Sequence, residues 1–180
     1  MTVTETVPTS YAGCRFRSRL EARWAVFLTT AGIRWDYEPR VLAIHIPRRH
    51  RVFPYLPDFW LPAAGQYAEA KGFLFNDGFR RLLDIANGLK HDLVVLGHIP
   101  GPFDARWPIQ LHRHDGGLLA VPWRPEPGPA RLSRAIREEH LTPGLLLTGF
   151  PRVCPEWAEP ALDTARSWRF PPTAGPAALR

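Results

Sequence analysis

A chain of 180 residues with 45% hydrophobic and 22% charged side chains can bury one sizeable core and is ordinary for a globular domain. No apolar run approaches the ~20 residues that span a bilayer, and the polar first ten residues lack a basic-then-apolar leader, which excludes a membrane role and implies a cytoplasmic setting. The net charge of +6 favours a polyanionic partner, although 21 of the 23 basic residues are Arg, a bias that weakens charge as evidence for nucleic acid. Lys71 and Lys90 are the only lysines. Lys71 therefore stands out, because a compact amine with an adjustable pKa has been kept where the chain otherwise uses Arg. Cys14 and Cys154 have no metal-type spacing and read as reduced thiols.

In chain order, residues 1–10 read as disordered. Residues 18–31 form an amphipathic helix with Leu20, Trp24, Phe27, Leu28 and Ala31 on one face, Ser18 as N-cap and Gly32 as the stop. Residues 33–38 alternate up to Pro39 and suggest a strand. A second strand over 41–46, a turn over 47–51, and two further strands over 52–61 and 66–72 follow. A second helix is expected over 77–90, with Phe79, Leu82, Leu83, Ala86 and Leu89 in register. Residues 92–98 are nearly all apolar, as a strand buried on both faces would be. This order implies a mixed α/β domain with a helix on each side of a sheet. Fourteen of the twenty prolines lie beyond residue 99, so that third is expected to be irregular, with short helices over 130–140 and 160–168. Trp107, Trp123, Trp157 and Trp168 argue that it packs onto the core.

The chemistry concentrates in Leu56-Pro57-Asp58-Phe59-Trp60-Leu61 and Tyr67-Ala68-Glu69-Ala70-Lys71-Gly72. Side chains on a strand alternate faces, so Glu69 and Lys71 project together. If Leu61 pairs with Gln66, Asp58 falls opposite Glu69; a shift of two residues puts it opposite Lys71, and a one-residue slip sends it to the other face. Asp58, Glu69 and the backbone carbonyl of Ala70 would offer Mg²⁺ the oxygen ligands it prefers. The ion would lower the pKa of a bound water, and Lys71 would orient that water or stabilise charge on a phosphate. Singly, an Asp after Pro suits a turn and a Glu-x-Lys suits a solvated strand face. The apolar frame around both instead places them in paired strands.

Glu21 admits two readings. Ser18-Arg19-Leu20-Glu21 matches a capping box, which local evidence favours, yet Glu21 could also complete a metal site. Arg17, Ser18, Arg19 and Arg23 cluster around it in a setting suited to phosphate.

Phe16-Arg17-Ser18-Arg19-Leu20-Glu21-Ala22-Arg23-Trp24, then Trp35-Asp36-Tyr37-Glu38-Pro39, Leu56-Pro57-Asp58-Phe59 and Glu69-Ala70-Lys71-Gly72, together resemble the PD-(D/E)XK nuclease superfamily. The resemblance covers roughly residues 11–98 and rests on the order and spacing of short motifs. It implies a restriction-endonuclease-like fold, a mixed β-sheet flanked by helices, and implies nothing about residues 100–180, which read from their prolines as a Pro-rich C-terminal extension. The nuclease-like core would then span 11–125, and residues 126–180 a helical or irregular extension packed on it. It further implies that Asp58 and Glu69 bind metal, that Lys71 is catalytic and that Glu21 contributes to the metal site.

The resulting expectation is a Mg²⁺-dependent DNA endonuclease, with Mn²⁺ as a substitute, working by direct attack of an activated water. Arg17, Arg19, Arg48, Arg49, Arg51, Arg80 and Arg81 are the candidate DNA contacts, a solvated turn being the even alternative for 48–51. The seven histidines show no zinc spacing, and His112-Arg113-His114 suits an exposed strand end better than a phosphate or metal site. The main rival is a catalytically silent nuclease-like subunit that binds DNA or a larger DNA-processing complex. An RNA-binding structural protein is disfavoured because no exposed aromatic platform is evident. A homodimer, a partner protein and a nicking monomer all remain compatible.

Overall fold

The computed structural model describes residues 8–46, 51–101, 106–115, 117–126, 134–150 and 154–171. Pro8 to Ser10 depart from the expected disordered start: β1 (Thr9–Tyr11) pairs with β2 (Cys14–Phe16), and Thr9 is buried. The hairpin turns on Ala12 and Gly13, whose φ angles are +49° and +78°.

Helix α1 (Arg19–Thr30) starts where the capping signal places it. The Ser18 hydroxyl accepts the Glu21 N–H, satisfying one of the donors a helix start leaves open. Gly32, at φ +70°, takes the left-handed turn that ends the helix. Strand β3 is shorter than expected, only Asp36–Tyr37. The hairpin of β4 (Leu42–Ile46) and β5 (Arg51–Tyr55) stands apart from the main sheet.

The single strand expected over 52–61 is two: β5, and β6 (Phe59–Leu61) in the main sheet. Pro57 lies in the break. It has no N–H for a ladder and it restricts Leu56, so the chain leaves one pairing before entering the other. Strand β7 (Gln66–Ala70) returns antiparallel to β6, with Leu61 opposite Gln66. Helix α2 (Asn76–Gly88) then crosses over to β8 (Leu93–Leu96), which lies parallel to β7. A parallel neighbour needs such a long connection.

The C-terminal third is more regular than its prolines suggest. β9 (Ile109–His114), β10 (Gly117–Pro122) and β11 (Ile136–Arg137) extend the sheet to the order β11-β10-β9-β8-β7-β6-β3. The helix expected over 130–140 is not one: residues 130–133 lie outside the described residues, 136–137 are β11, and Glu138–His140 is a single 3₁₀ turn. Helix α3 (Pro143–Thr148) is an addition to the expected elements, whereas α4 (Glu159–Ser167) matches the helix expected over 160–168 with both ends one residue earlier. The molecule is thus mixed α/β, with one mixed sheet as its centre.

Strand alternation assigns the two faces. Ala68, Ala70, Val94 and Leu96 pack with Trp24, Phe27, Trp107 and α4. Tyr67, Leu93 and Val95 pack on the other side with Leu82, Ile85 and Ala86 of α2. Trp107 and Trp123 stack at 5.4 Å, and both indole N–H groups are satisfied, by the Trp123 carbonyl at 2.7 Å and Gln66 Oε1 at 3.0 Å. Trp157 and Trp168 stay partly exposed but also pack, edge-on to Trp107 at 5.6 Å and to Tyr11 at 5.3 Å. Arg23 is a structural residue: its Nη1 donates to the Ala165 and Arg166 carbonyls at 2.6 and 2.7 Å, joining α1 to the end of α4. Among the described residues no helix is long and apolar enough to cross a membrane.

Gly97 ends β8 against α3, where an added Cβ would lie 1.8 Å from the Leu147 carbonyl oxygen. Its own carbonyl also accepts the Trp24 indole N–H at 2.8 Å. Because the obstacle is backbone, Gly97→Ala is expected to cost about 3 kcal/mol or more, read from the urea midpoint.

Candidate active site

The β6–β7 register decides what meets at the end of β7. With Phe59 opposite Ala68 and Leu61 opposite Gln66, Asp58 falls across from Glu69, the register expected when Leu61 pairs with Gln66. Its side chain continues the ladder that Pro57 interrupts: Asp58 Oδ2 accepts the Ala70 N–H at 2.8 Å. A strand residue turns its N–H and C=O toward the same neighbour, so the Ala70 carbonyl faces the Asp58 side too. Lys71 donates its backbone N–H to the Leu96 carbonyl at 3.0 Å, and its ammonium lies 2.5 Å from Glu69 Oε1. Asp58, Glu69 and Lys71 line one open cleft of about 700 Å³.

Both carboxylates are buried, with side chains only 3% and 8% exposed. Arg17 Nη2 sits 2.7 Å from Asp58 Oδ1 while its Nε reaches Glu38 Oε1 at 2.9 Å. Despite that partner, burial first and the neighbouring Glu69 second push the Asp58 carboxyl up to about 7. Lys71 and the Ala70 N–H pull the other way without offsetting the burial. Burial alone would lower the Lys71 ammonium, but Glu69 and Asp58 outweigh it and hold the group above its usual range, so Lys71 stays charged.

Three contributors were not singled out from the sequence. Tyr55, at the end of β5, donates its hydroxyl to Glu69 Oε2 at 2.6 Å, and burial together with that carboxylate drives its pKa well up. Tyr37 donates to Glu21 Oε2 at 2.7 Å, and Glu38 holds Arg17. Tyr37 and Glu38 enter the sequence reading only as part of the resembling segment 35–39 and Tyr55 not at all; their spatial convergence is what gives them a place in the cleft.

Glu21 is buried in the wall of the same cleft. Its carboxylate takes the Ser18 hydroxyl at 2.7 Å, the Arg17 N–H at 3.1 Å and the Tyr37 hydroxyl. The cap is thus real but differs from the expected one, since the backbone donor is Arg17 and not Ser18.

Of the candidate DNA contacts, Arg17 lies in the cleft and Arg19 is exposed on the first turn of α1. Arg51, Arg80 and Arg81 share a neighbouring groove between the β4–β5 hairpin and α2, and Arg81 also lines the cleft. Arg48 and Arg49 lie outside the described residues. His112 is committed elsewhere, its Nδ1 3.1 Å from Asp92, while Arg113 and His114 are exposed at the strand end.

The donor set suits a hard divalent cation. Mg²⁺ commonly takes one or two carboxylates and completes its shell with water and phosphate oxygen. Each oxygen of Asp58 and Glu69 keeps a second lone pair beside its present partner. Among the described residues no three His, Cys, Asp or Glu side chains gather as a metal cluster: Asp58, Glu69 and the Ala70 carbonyl are the donors at the end of β7, while Glu21 lines the same cleft with its carboxylate taken up by Ser18, Arg17 and Tyr37. No family model, no curated protein and no solved structure matches the chain.

The raised Asp58 pKa sets the sign of a stability change. Folding holds a proton on Asp58 above the ordinary value of 3.8, so its stabilising contribution is complete below that value and is lost as pH rises through about 7. In EDTA, Asp58→Asn should therefore be at least as stable as wild type at pH 8, with the gap closing toward pH 5. Thermal melts across that range give the answer; a gap that widens toward acid would contradict the assignment.

Proposed function

We propose that this protein is a metal-dependent endonuclease that hydrolyses DNA phosphodiester bonds, built on the restriction-endonuclease-like fold. The observation that carries the reading is the convergence of Asp58, Glu69 and Lys71 on one cleft, through the β6–β7 register. Folding alone has little use for two adjacent buried acids, one of them held above its normal pKa by burial and by the other. Such arrangements cluster where chemistry is done. The order of elements supports the fold assignment: a Glu-bearing helix, an antiparallel strand pair carrying the acids, and a helical crossover to a parallel strand.

Asp58, Glu69 and the Ala70 carbonyl would hold Mg²⁺ or Mn²⁺, which when bound supplies Lewis acidity toward the scissile phosphate and a more acidic water. Glu69 anchors the Lys71 ammonium, which is placed to stabilise negative charge on the phosphoryl oxygens. Tyr55 fixes the Glu69 carboxylate by its hydrogen bond. Arg17, half-exposed in the cleft, provides a second cation for a phosphate once Asp58 turns to another partner. No nucleophilic side chain is required, and water completes the displacement.

One observation favours the silent-subunit reading. Arg17 and Lys71 already neutralise the two acids, an arrangement that is stable without any ion. Plasmid and branched-oligonucleotide cleavage with Mg²⁺, Mn²⁺ or EDTA separates the two. Metal-dependent cutting is expected from wild type, reduced by about 10²–10³-fold or more in Lys71→Ala and Asp58→Ala. Cutting that survives both substitutions would sink the site assignment, and DNA binding without cutting would favour the silent subunit.

A further inference from the structure

Phe73 and Phe75 are 72% and 77% exposed, more than any other large apolar side chain among the described residues. Both line the cleft that holds Asp58 and Lys71. Leu74 between them turns inward and packs against the α2 side of the core. This alternation is that of an extended chain, which presents two rings on one side. Folding does not account for either ring. Phe75 occupies the N-cap of α2 with no side-chain hydrogen bond, a position where Ser, Thr, Asp or Asn would stabilise the helix.

We infer that Phe73 and Phe75 form a stacking platform for the bases of an unpaired DNA strand, so that the substrate is single-stranded or locally unpaired at the cut. The placement of the phosphates over Lys71 rests on the nuclease reading; the stacking itself does not. Bases inside a duplex already cover each other's faces, and only an unpaired base can offer one to an aromatic ring. Residues two apart on an extended chain lie about 6.6 Å apart, twice the ~3.4 Å rise per nucleotide of one strand. Each ring can therefore meet a different base, or the two can hold one between them.

The strand's onward path is basic. Arg81 lines both the cleft and the adjoining groove of about 620 Å³, where Arg51 and Arg80 also lie. Its guanidinium is held 5.3 Å above the Phe53 ring. Asp77 and Asp84 line the same groove, which confines phosphate contact to its arginine side. The exposed aromatic platform judged missing from the sequence is present, and it adjoins the acids and lysine that a purely structural RNA-binding protein would not need.

The test is fluorescence anisotropy of the full chain in EDTA, with a short oligothymidylate and a blunt duplex of equal length. Wild type should bind the unpaired strand more tightly than the duplex. Phe73→Ala and Phe75→Ser should each weaken oligothymidylate binding by about tenfold or more while leaving the duplex unchanged, and Phe75→Trp should retain binding. Phe75→Ser adds a capping hydroxyl, so its melting temperature should equal or exceed that of wild type; lost binding is then not lost folding. Unchanged oligothymidylate affinity in both variants, or equal losses on both DNA forms, would overturn the inference and leave the pair as a protein-docking patch. Parallel cleavage assays keep the two readings apart. Wild-type cutting of duplex DNA that persists in both Phe variants leaves the nuclease and removes the platform. Phe-dependent strand binding without cutting in any metal leaves the platform and removes the nuclease.

Discussion

The antiparallel pairing of β6 with β7 is the constraint on which the rest of the molecule depends. Leu61 against Gln66 places Asp58 across from Glu69, and the bond from the Ala70 amide to Asp58 Oδ2 locks that side chain where the backbone ladder stops. A slip of one residue would move Phe59 and Leu61 out of the tryptophan-rich core and Asp58 into it. The apolar residues that fix the fold and the polar residues that form the cleft thus obey the same alternation. The hydrophobic side enforces the register, and the site inherits it.

That inheritance comes at a cost in stability. Two carboxylates are held together in a buried setting, and Arg17, Lys71 and Tyr55 are what make it tolerable. The compensation is incomplete, since burial and Glu69 still keep Asp58 well above its normal pKa. A bound cation would relieve the same repulsion. Phe73 and Phe75 show a second departure from what folding alone would choose, on the rim of the same cleft. Exposed rings and a buried like-charge pair within one short stretch of chain would share one explanation in the proposed phosphate-bearing ligand with unpaired bases.

The proline-rich third shares in building the sheet. β9 covers the edge of β8, and Trp123 reaches back to hydrogen-bond Gln66 on the strand that carries Glu69. Gln110 and His112 of β9 hold Asp92 at the entrance to β8. These contacts back the site strands from behind, so the described C-terminal residues support the cleft without lining it.

Local chemistry alone determined several elements. Ser18 and Gly32 bound α1, the apolar run 93–96 makes a central strand, and the Glu69–Lys71 spacing puts both side chains on one face, because capping and strand alternation act over a few residues. The hairpin of β9 and β10 is not part of the sequence reading, although Asp115-Gly116 is a turn signal, because the prolines of that third point to irregular chain. Other features had no local signature. The hydroxyls of Tyr55 and Tyr37 on Glu69 and Glu21, the Arg17 bridge to Asp58 and the commitment of Arg23 to α4 all join residues remote in sequence. Only tertiary structure decided them, because which polar groups meet depends on how the hydrophobic layers close around them.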